Sequence, residues 1–182
     1  MDNIILGLLF MCNRTIYQLR DRINKGLNLM YSSSMGSIQA AVRKLLNAGY
    51  ICYEETVESG KYKKTYCITE NGRRHFLEWI NAPIEEHGIK SPELTKVYFM
   101  GFADKGNRKT AIEEHLTFLR GQYSLLSKIC EESKDIRVPE EHKDIFHYQM
   151  MSALYGRDLI KFNISWFESL LTKMRDNDSG NE

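Results

Sequence analysis

Proline is scarce in this 182-residue sequence, at 3, and glycine, at 12, is not abundant. Collagen-like and low-complexity chains need far more of both, while hydrophobic residues at 42% and charged residues at 27% are the proportions of a folded globular protein. No apolar run reaches the roughly 18 to 20 residues of a membrane span. The apolar stretch from Ile4 to Met11 is preceded by Asp2 instead of a basic region and followed at once by Arg14, without a small-residue cleavage site. It therefore does not read as a secretion signal, and a cytoplasmic protein is expected. The 4 cysteines, Cys12, Cys52, Cys67 and Cys130, include no CxxC pair and have mostly apolar neighbours. Buried, reduced thiols are the expectation, with redox sensing as the lesser alternative.

Catalytic signatures are missing too. The chain has no GxSxG, HExxH, P-loop or GxGxxG. Three Glu-Glu-His triplets end at His87, His115 and His142 in unlike contexts, and His142 and His147 are five apart, which misses the i, i+4 spacing of a helical metal pair. No enzyme, metal or cofactor is expected. The net charge of +1 conceals an asymmetry: residues 1–80 hold 11 Lys+Arg against 7 Asp+Glu, and residues 81–182 hold 14 against 17. A basic first part suits a nucleic-acid partner, although weakly.

The residues that are present fall into a clear order. An apolar helix from Asp2 or Asn3 to Met11 is followed by a second, in which Ile16, Leu19 and Ile23 share a face, Thr15 supplies the N-cap and Gly26 the stop. After a polar turn containing Ser32, Ser33 and Ser34, a third helix places Ile38, Val42 and Leu45 on one stripe and ends at Asn47-Ala48-Gly49. Aromatic and β-branched residues at 50–53 and 65–68 flank Glu58-Ser-Gly-Lys-Tyr-Lys-Lys, which predicts a β-hairpin with a basic tip. A fourth helix from Arg73 to about Ala82 turns Phe76, Leu77 and Ile80 inward and is limited by Pro83. Helix, helix, helix, hairpin, helix is the order of a winged helix-turn-helix, whose recognition helix enters the major groove while the hairpin, or wing, reaches the adjacent backbone or minor groove.

Residues 83–93, with two prolines and a glycine, read as a linker. Ser91-Pro92-Glu93 then opens a helix that carries Leu94, Val97, Tyr98 and Met100 and ends near Gly106. Ile112, Leu116, Leu119, Tyr123, Leu126 and Cys130 follow a heptad spacing too short for a free coiled coil. In the final helix, from about Pro139, apolar residues between Ile145 and Leu170 recur every 3.6 residues or so, rich in Tyr, Phe, Met and Trp. A face of this kind needs a larger apolar partner than one neighbouring helix offers, and a second copy of the chain would supply it.

The expected fold class is thus mainly α with a small β-hairpin wing, an N-terminal winged helix-turn-helix followed by a C-terminal antiparallel helical dimerisation arm. The boundaries are a DNA-binding domain at 1–82, a linker at 83–93, a helical dimerisation domain at 94–176 and a flexible tail at 177–182. Leu119, Tyr123, Leu126, Tyr148, Met151, Tyr155, Phe162 and Trp166 are the candidate dimer-interface residues.

Several of these segments resemble the PadR family of winged-helix regulators. Ile5-Leu6-Gly7-Leu8-Leu9 is similar to the family's opening helix, and Ser34-Met35-Gly36-Ser37-Ile38-Gln39-Ala40-Ala41-Val42-Arg43-Lys44-Leu45 to its recognition segment. Ala48-Gly49-Tyr50-Ile51 looks like the step into the wing, and Lys61–Tyr66 with Ile68-Thr69-Glu70-Asn71-Gly72-Arg73 like the wing's close. The part after Ser91-Pro92-Glu93-Leu94 is similar to the C-terminal extension of longer family members, which dimerise through it. There are two departures: Ile16-Tyr17 replaces a usual Gly-Tyr pair, and Gln39 replaces a recognition-helix tyrosine. The resemblance implies a homodimeric repressor on a pseudo-palindromic double-stranded operator, released by a small-molecule effector or another signal. Its competitor is a winged-helix protein-interaction module that does not read DNA.

Reading DNA needs phosphate anchors and base-edge readers. Ser34 and Ser37 sit near the N-terminus of the third helix, where they cap it or hold a phosphate. Gln39 has the amide geometry for adenine, and Arg43 and Lys44 reach a guanine edge, a phosphate or only solvent. Lys61, Lys63 and Lys64 surround Tyr62 on the wing, and Arg14 and Thr15 stand at the family's backbone-contacting entry to the second helix. An effector pocket between the wing domain and the arm, or at the dimer interface, would draw on Tyr98, Phe99, Phe102, Tyr148, Tyr155, Phe162 and Trp166, and core packing is the expected role of all seven.

Overall fold

A computed structural model describes residues 1–26, 34–58, 61–84 and 91–179 of the chain. Ser32 and Ser33 of the expected polar turn, residues 59–60 of the expected hairpin tip, residues 85–90 of the expected linker, with His87, and residues 180–182 of the expected tail lie outside it. The chain divides into two compact units, Met1–His87 and Gly88–Glu182, at a boundary inside the stretch read as a linker.

The first unit is built from α1 (Asp2–Met11), β1 (Arg14–Thr15), α2 (Ile16–Gly26), α3 (Met35–Asn47), β2 (Ile51–Glu58), β3 (Lys61–Ile68) and α4 (Glu70–Asn81). Its core gathers Ile5, Leu6 and Leu9 of α1, Leu19 and Ile23 of α2, Ile38, Val42 and Leu45 of α3, and Ile51, Tyr66 and Ile68 of the sheet. Each of these helical faces is the one its 3.6-residue spacing selects, and burial of each Leu or Ile contributes about 1.5 to 3 kcal/mol. α3 closes in a Schellman motif: Gly49 adopts φ +69°, its N–H donates to Leu46 O, and Tyr50 N–H donates to Leu45 O, both at 3.0 Å.

Here the chain is tied back on itself. Thr69 N–H donates to Tyr50 O at 3.0 Å, and the Thr69 hydroxyl donates to Gly49 O at 2.7 Å while accepting from Gly72 N at 3.1 Å as the N-cap of α4. Tyr50 stacks on His75 with ring centroids 4.5 Å apart. The end of α3, the first strand of the wing and the start of α4 therefore share one joint. Gly72 is required there, because a Cβ would lie 2.0 Å from Tyr50 O.

Three features depart from expectation. The sheet has three strands in the order β1-β3-β2, not two, since Arg14 and Thr15 pair with Tyr66 and Thr65. The wing strands also reach further than the hydrophobic pattern predicts, to Glu58 and back to Lys61, because Glu55 meets Lys64 at 3.0 Å and Val57 stands opposite Tyr62 in the ladder. Such cross-strand pairs offset the low strand preference of Glu and Lys. On α4, Phe76 packs inward, against Phe10 at 5.5 Å between centroids, but Leu77 and Ile80 are exposed.

The second unit contains α5 (Pro92–Tyr98), α6 (Lys105–Glu132) and α7 (Lys143–Ser179). Ser91 caps α5, accepting from Leu94 N at 3.3 Å. α5 stops at Tyr98, short of Gly106, and a single 3-10 turn at Met100–Phe102 follows. Arg108 holds that turn, donating through Nε to Ala103 O at 2.7 Å and through Nη2 to Gly101 O at 2.8 Å. α6 and α7 pack antiparallel: Arg120 bonds Glu168 at 2.6 Å at one level, and Leu126 lies against Gly156 at another. Ile112, Leu116, Leu119, Phe167 and Leu171 form the core between them.

Candidate nucleic-acid interface

The N-terminus of α3 is closed by its own serines. Ser34 Oγ accepts from Ser37 N at 3.1 Å, and Ser37 Oγ donates to Ser34 O at 2.8 Å. Both hydroxyls are engaged in capping, and both remain at the helix end where backbone N–H groups and the positive end of the dipole face outward. With Ile38, Val42 and Leu45 buried, the helix turns Gly36, Gln39, Ala40 and Arg43 to solvent. Gln39 and Arg43 stand one turn apart, and the small residues beside them leave their polar ends proud of the surface. An exposed amide and guanidinium on a helix face flanked by Gly and Ala are groups of the chemical type that reading base edges requires.

Lys44 is differently placed. Its Nζ meets Asp2 Oδ2 at 2.6 Å, an exposed pair that holds the ammonium pKa above the ordinary lysine value. It ties α3 to the first turn of α1, so its charge is partly met within the chain. Thr15 is buried, and its role is structural. Its Oγ1 accepts from Gln18 N at 3.3 Å while Gln18 Oε1 accepts from Thr15 N at 2.8 Å, a reciprocal capping box at the head of α2. Arg14 is half-buried on β1, and its Nε is out of water without an acceptor among the described residues.

The lysines of the wing lie in strand β3 and not at a turn. Lys64 bonds Glu55 at 3.0 Å and sits 4.2 Å above the Tyr53 ring; first Glu55 and then Tyr53 hold its pKa above the ordinary value. Lys63 is half-buried, opposite Thr56, and Lys61 is opposite Glu58. β3 brings these positions together with the head of α2, since Thr65 and Tyr66, its pairing residues, directly follow Lys64. Tyr17 on the first turn of α2 and Tyr62 on the wing are strongly exposed and fall outside the expected set of contacts. The signal for Tyr17 lies in the sequence, as an aromatic one position off the buried stripe Ile16, Leu19 and Ile23.

In the arm, the heptad residues Leu119 and Leu126 are buried and Tyr123 is half-buried within the protomer, so their packing is with α7. The other expected interface residues are exposed. Tyr148 is 72%, Tyr155 69% and Phe162 61% exposed, and with Met151, Leu159 and Trp166 they line one side of α7. α7 thus has two apolar faces, one packed on α6 and one open. Tyr98, Phe99 and Phe102, considered for an effector pocket, are exposed. A separate cavity of about 410 Å³ between α6 and α7 is lined by Tyr123, Ser127, Cys130, Phe146, Met150 and Arg157 among others. Ser127 Oγ is buried without a partner among the described residues, and the adjacent Asp158 carboxylate raises the Arg157 pKa.

No protein-family model matches the chain. It is 26% identical over 172 residues to the negative transcriptional regulator PadR of Bacillus subtilis (strain 168), across 92% of this chain and 93% of the relative. The crystal structure of Bacillus subtilis PadR in complex with operator DNA superposes with a TM-score of 0.76 at 23% identity, over 95% of this chain and 98% of that one. The same protein in complex with p-coumaric acid gives 0.70 at 22%, over 96% and 98%. The PadR-like transcriptional regulator BC1756 from Bacillus cereus gives 0.75 at 21%, over 95% and 94%. Among the described residues no helix is long and apolar enough to cross a membrane.

Proposed function

We propose that this PadR-like chain is a sequence-specific DNA-binding transcriptional repressor that acts as a homodimer. The observation that carries the reading is the outer face of α3. It presents Gln39 and Arg43 at i, i+4 spacing over a fully packed inner face, on a chain similar along nearly its whole length to a negative regulator. Arg43 is the primary base-edge reader, Gln39 sets preference beside it, and the N-terminus of α3 at Ser34 and Ser37 takes a phosphate. Arg14, Lys61, Lys63 and Lys64 follow the backbone from the sheet, so that affinity falls steeply with salt. Thr15 and Lys44 act by holding α2 and α3 in place.

The open face of α7 is the dimer surface. It runs from Tyr148 to Trp166, roughly 27 Å at 1.5 Å per residue, and on a protein of this size an exposed apolar strip of that length calls for a partner. Self-association pairs the recognition helices for a pseudo-palindromic operator with half-sites about 34 Å apart. The effector is a small molecule seated in the arm cavity, where Ser127 offers a free hydroxyl beside Tyr123, Phe146 and Leu154 and the Arg157 and Lys134 cations. The p-coumaric acid complex of the relative makes a phenolic acid the first ligand to try.

Fluorescence anisotropy against duplexes selected from a random pool tests the reading. Selected duplexes should bind in a salt-sensitive manner, and the charge reversals Arg43→Glu and Lys64→Glu should abolish binding while leaving the dimer intact. Failure to enrich any duplex, or loss of a protein partner in place of DNA, would identify an interaction module instead.

A further inference from the structure

Cys52 and Cys67 are directly opposed in the β2–β3 ladder, with their Sγ atoms 2.6 Å apart. Directly opposed residues on antiparallel strands have Cα atoms about 4.5 to 5.5 Å apart, inside the range a disulfide needs. Neither thiol is the sealed, apolar one expected from the sequence: Cys52 is exposed and Cys67 half-buried. The remaining cysteines stand apart from this pair, Cys12 just after α1 and Cys130 buried on α6. The two thiols are already in contact, and one of them is open to solvent at the base of the wing.

We propose that Cys52 and Cys67 form a peroxide-oxidisable dithiol that closes reversibly into a disulfide across the wing and alters DNA binding. Cys52, the accessible thiol, loses its proton to solvent and attacks the peroxide. Its S–O bond forms as the O–O bond breaks, and the departing hydroxide takes up a proton to leave as water. The Cys67 sulfur then attacks the sulfenic sulfur: the S–S bond forms, the S–O bond breaks, and the Cys67 proton leaves with the hydroxide as a second water. Two thiols and one peroxide thus give one disulfide and two waters, and a dithiol reductant reverses the change. The order of attack follows from access, and also from burial, which with the Cys52 contact pushes the Cys67 thiol up to about 11.

The consequence for DNA rests on the reading given above. β3 is the central strand, paired with β2 on one edge and β1 on the other, and carries Lys61, Lys63 and Lys64. A covalent tie from Cys67 to Cys52 fixes the twist of these strands at their base and so the direction of the lysines beyond it.

The test uses the full-length chain, treated with a small excess of hydrogen peroxide, denatured, alkylated and mapped by peptide mass spectrometry. Cys52 and Cys67 should be lost to alkylation together and joined within one chain, Cys12 and Cys130 should remain alkylatable, and dithiothreitol should restore all four. In Cys67→Ser, Cys52 should instead be trapped as a sulfenic acid by dimedone. A link between chains, a link through Cys12 or Cys130, or continued alkylation of both wing cysteines would overturn the dithiol. Oxidised and reduced protein should differ about threefold or more in affinity for a selected duplex, a difference absent in Cys52→Ser. Equal affinities with the disulfide present would overturn its effect on DNA. Absence of duplex binding in both states would instead remove the DNA-binding reading, while the mass map still decides the thiol chemistry.

Discussion

Arg43 and Lys44 are neighbours in sequence with different fates. The guanidinium stands on the outer face of α3 beside Gln39, whereas the ammonium is drawn to Asp2. Arg43→Ala should therefore weaken binding to the best duplex by about 1 to 3 kcal/mol, roughly 5- to 150-fold, while Lys44→Ala changes it no more than about twofold; anisotropy at fixed salt reads both. Gly72 makes a different demand. Gly72→Ala places a methyl group against Tyr50 O and Ile68, and should lower unfolding free energy by about 3 kcal/mol in urea denaturation. At Cys67 the thiol is raised from the ordinary 9.0 to about 11, so the folded chain keeps a proton that the unfolded chain releases earlier. The stability contributed by this group is complete below pH 9 and lost as pH rises through 11, and Cys67→Ser should flatten the stability profile across that window. The capping roles of Ser34 and Thr15 were legible because an N-cap is a local bargain among residues three apart. The need for glycine at 72 and the contact between Cys52 and Cys67 were not, since both arise where segments about 20 and 15 residues apart meet.

Among the elements, α1, α2 and α3 follow directly from hydrophobic spacing, since the faces it selects are the buried ones. The wing was harder to read. Its outer half is dominated by Glu and Lys, which are poor strand formers, and pairing between strands, with Thr56, Val57 and Tyr62 among them, makes it β structure. β1 is shorter still: two residues have no periodicity, and the strand exists because β3 offers an open edge. The capping box that follows it fixes where α2 begins. Gln18→Ala should leave the Thr15 amide without its acceptor and cost about 1 kcal/mol, read as a lower denaturation midpoint. On α4 the pattern misled, because Leu77 and Ile80 have the spacing of a buried stripe and lie exposed.

At the scale of the whole molecule, the sequence marked the final helix as carrying more apolar surface than one neighbour could cover, and the two faces of α7 bear out that surplus. It did not separate them. Leu119, Tyr123 and Leu126 share the heptad logic of an interface, but their partner is α7 of the same chain, and periodicity alone cannot tell an internal seam from an external one. The remaining strip is the part proposed to be self-complementary. Paired charges in Tyr155→Glu and Phe162→Glu should give a folded monomer by light scattering, with affinity for a two-half-site duplex reduced to about that for a single half-site. A chain of this kind has no single melting temperature. If burial of the strip is part of folding, the midpoint rises with protein concentration, by mass action, and the same dilution that separates the protomers also brings them closer to unfolding.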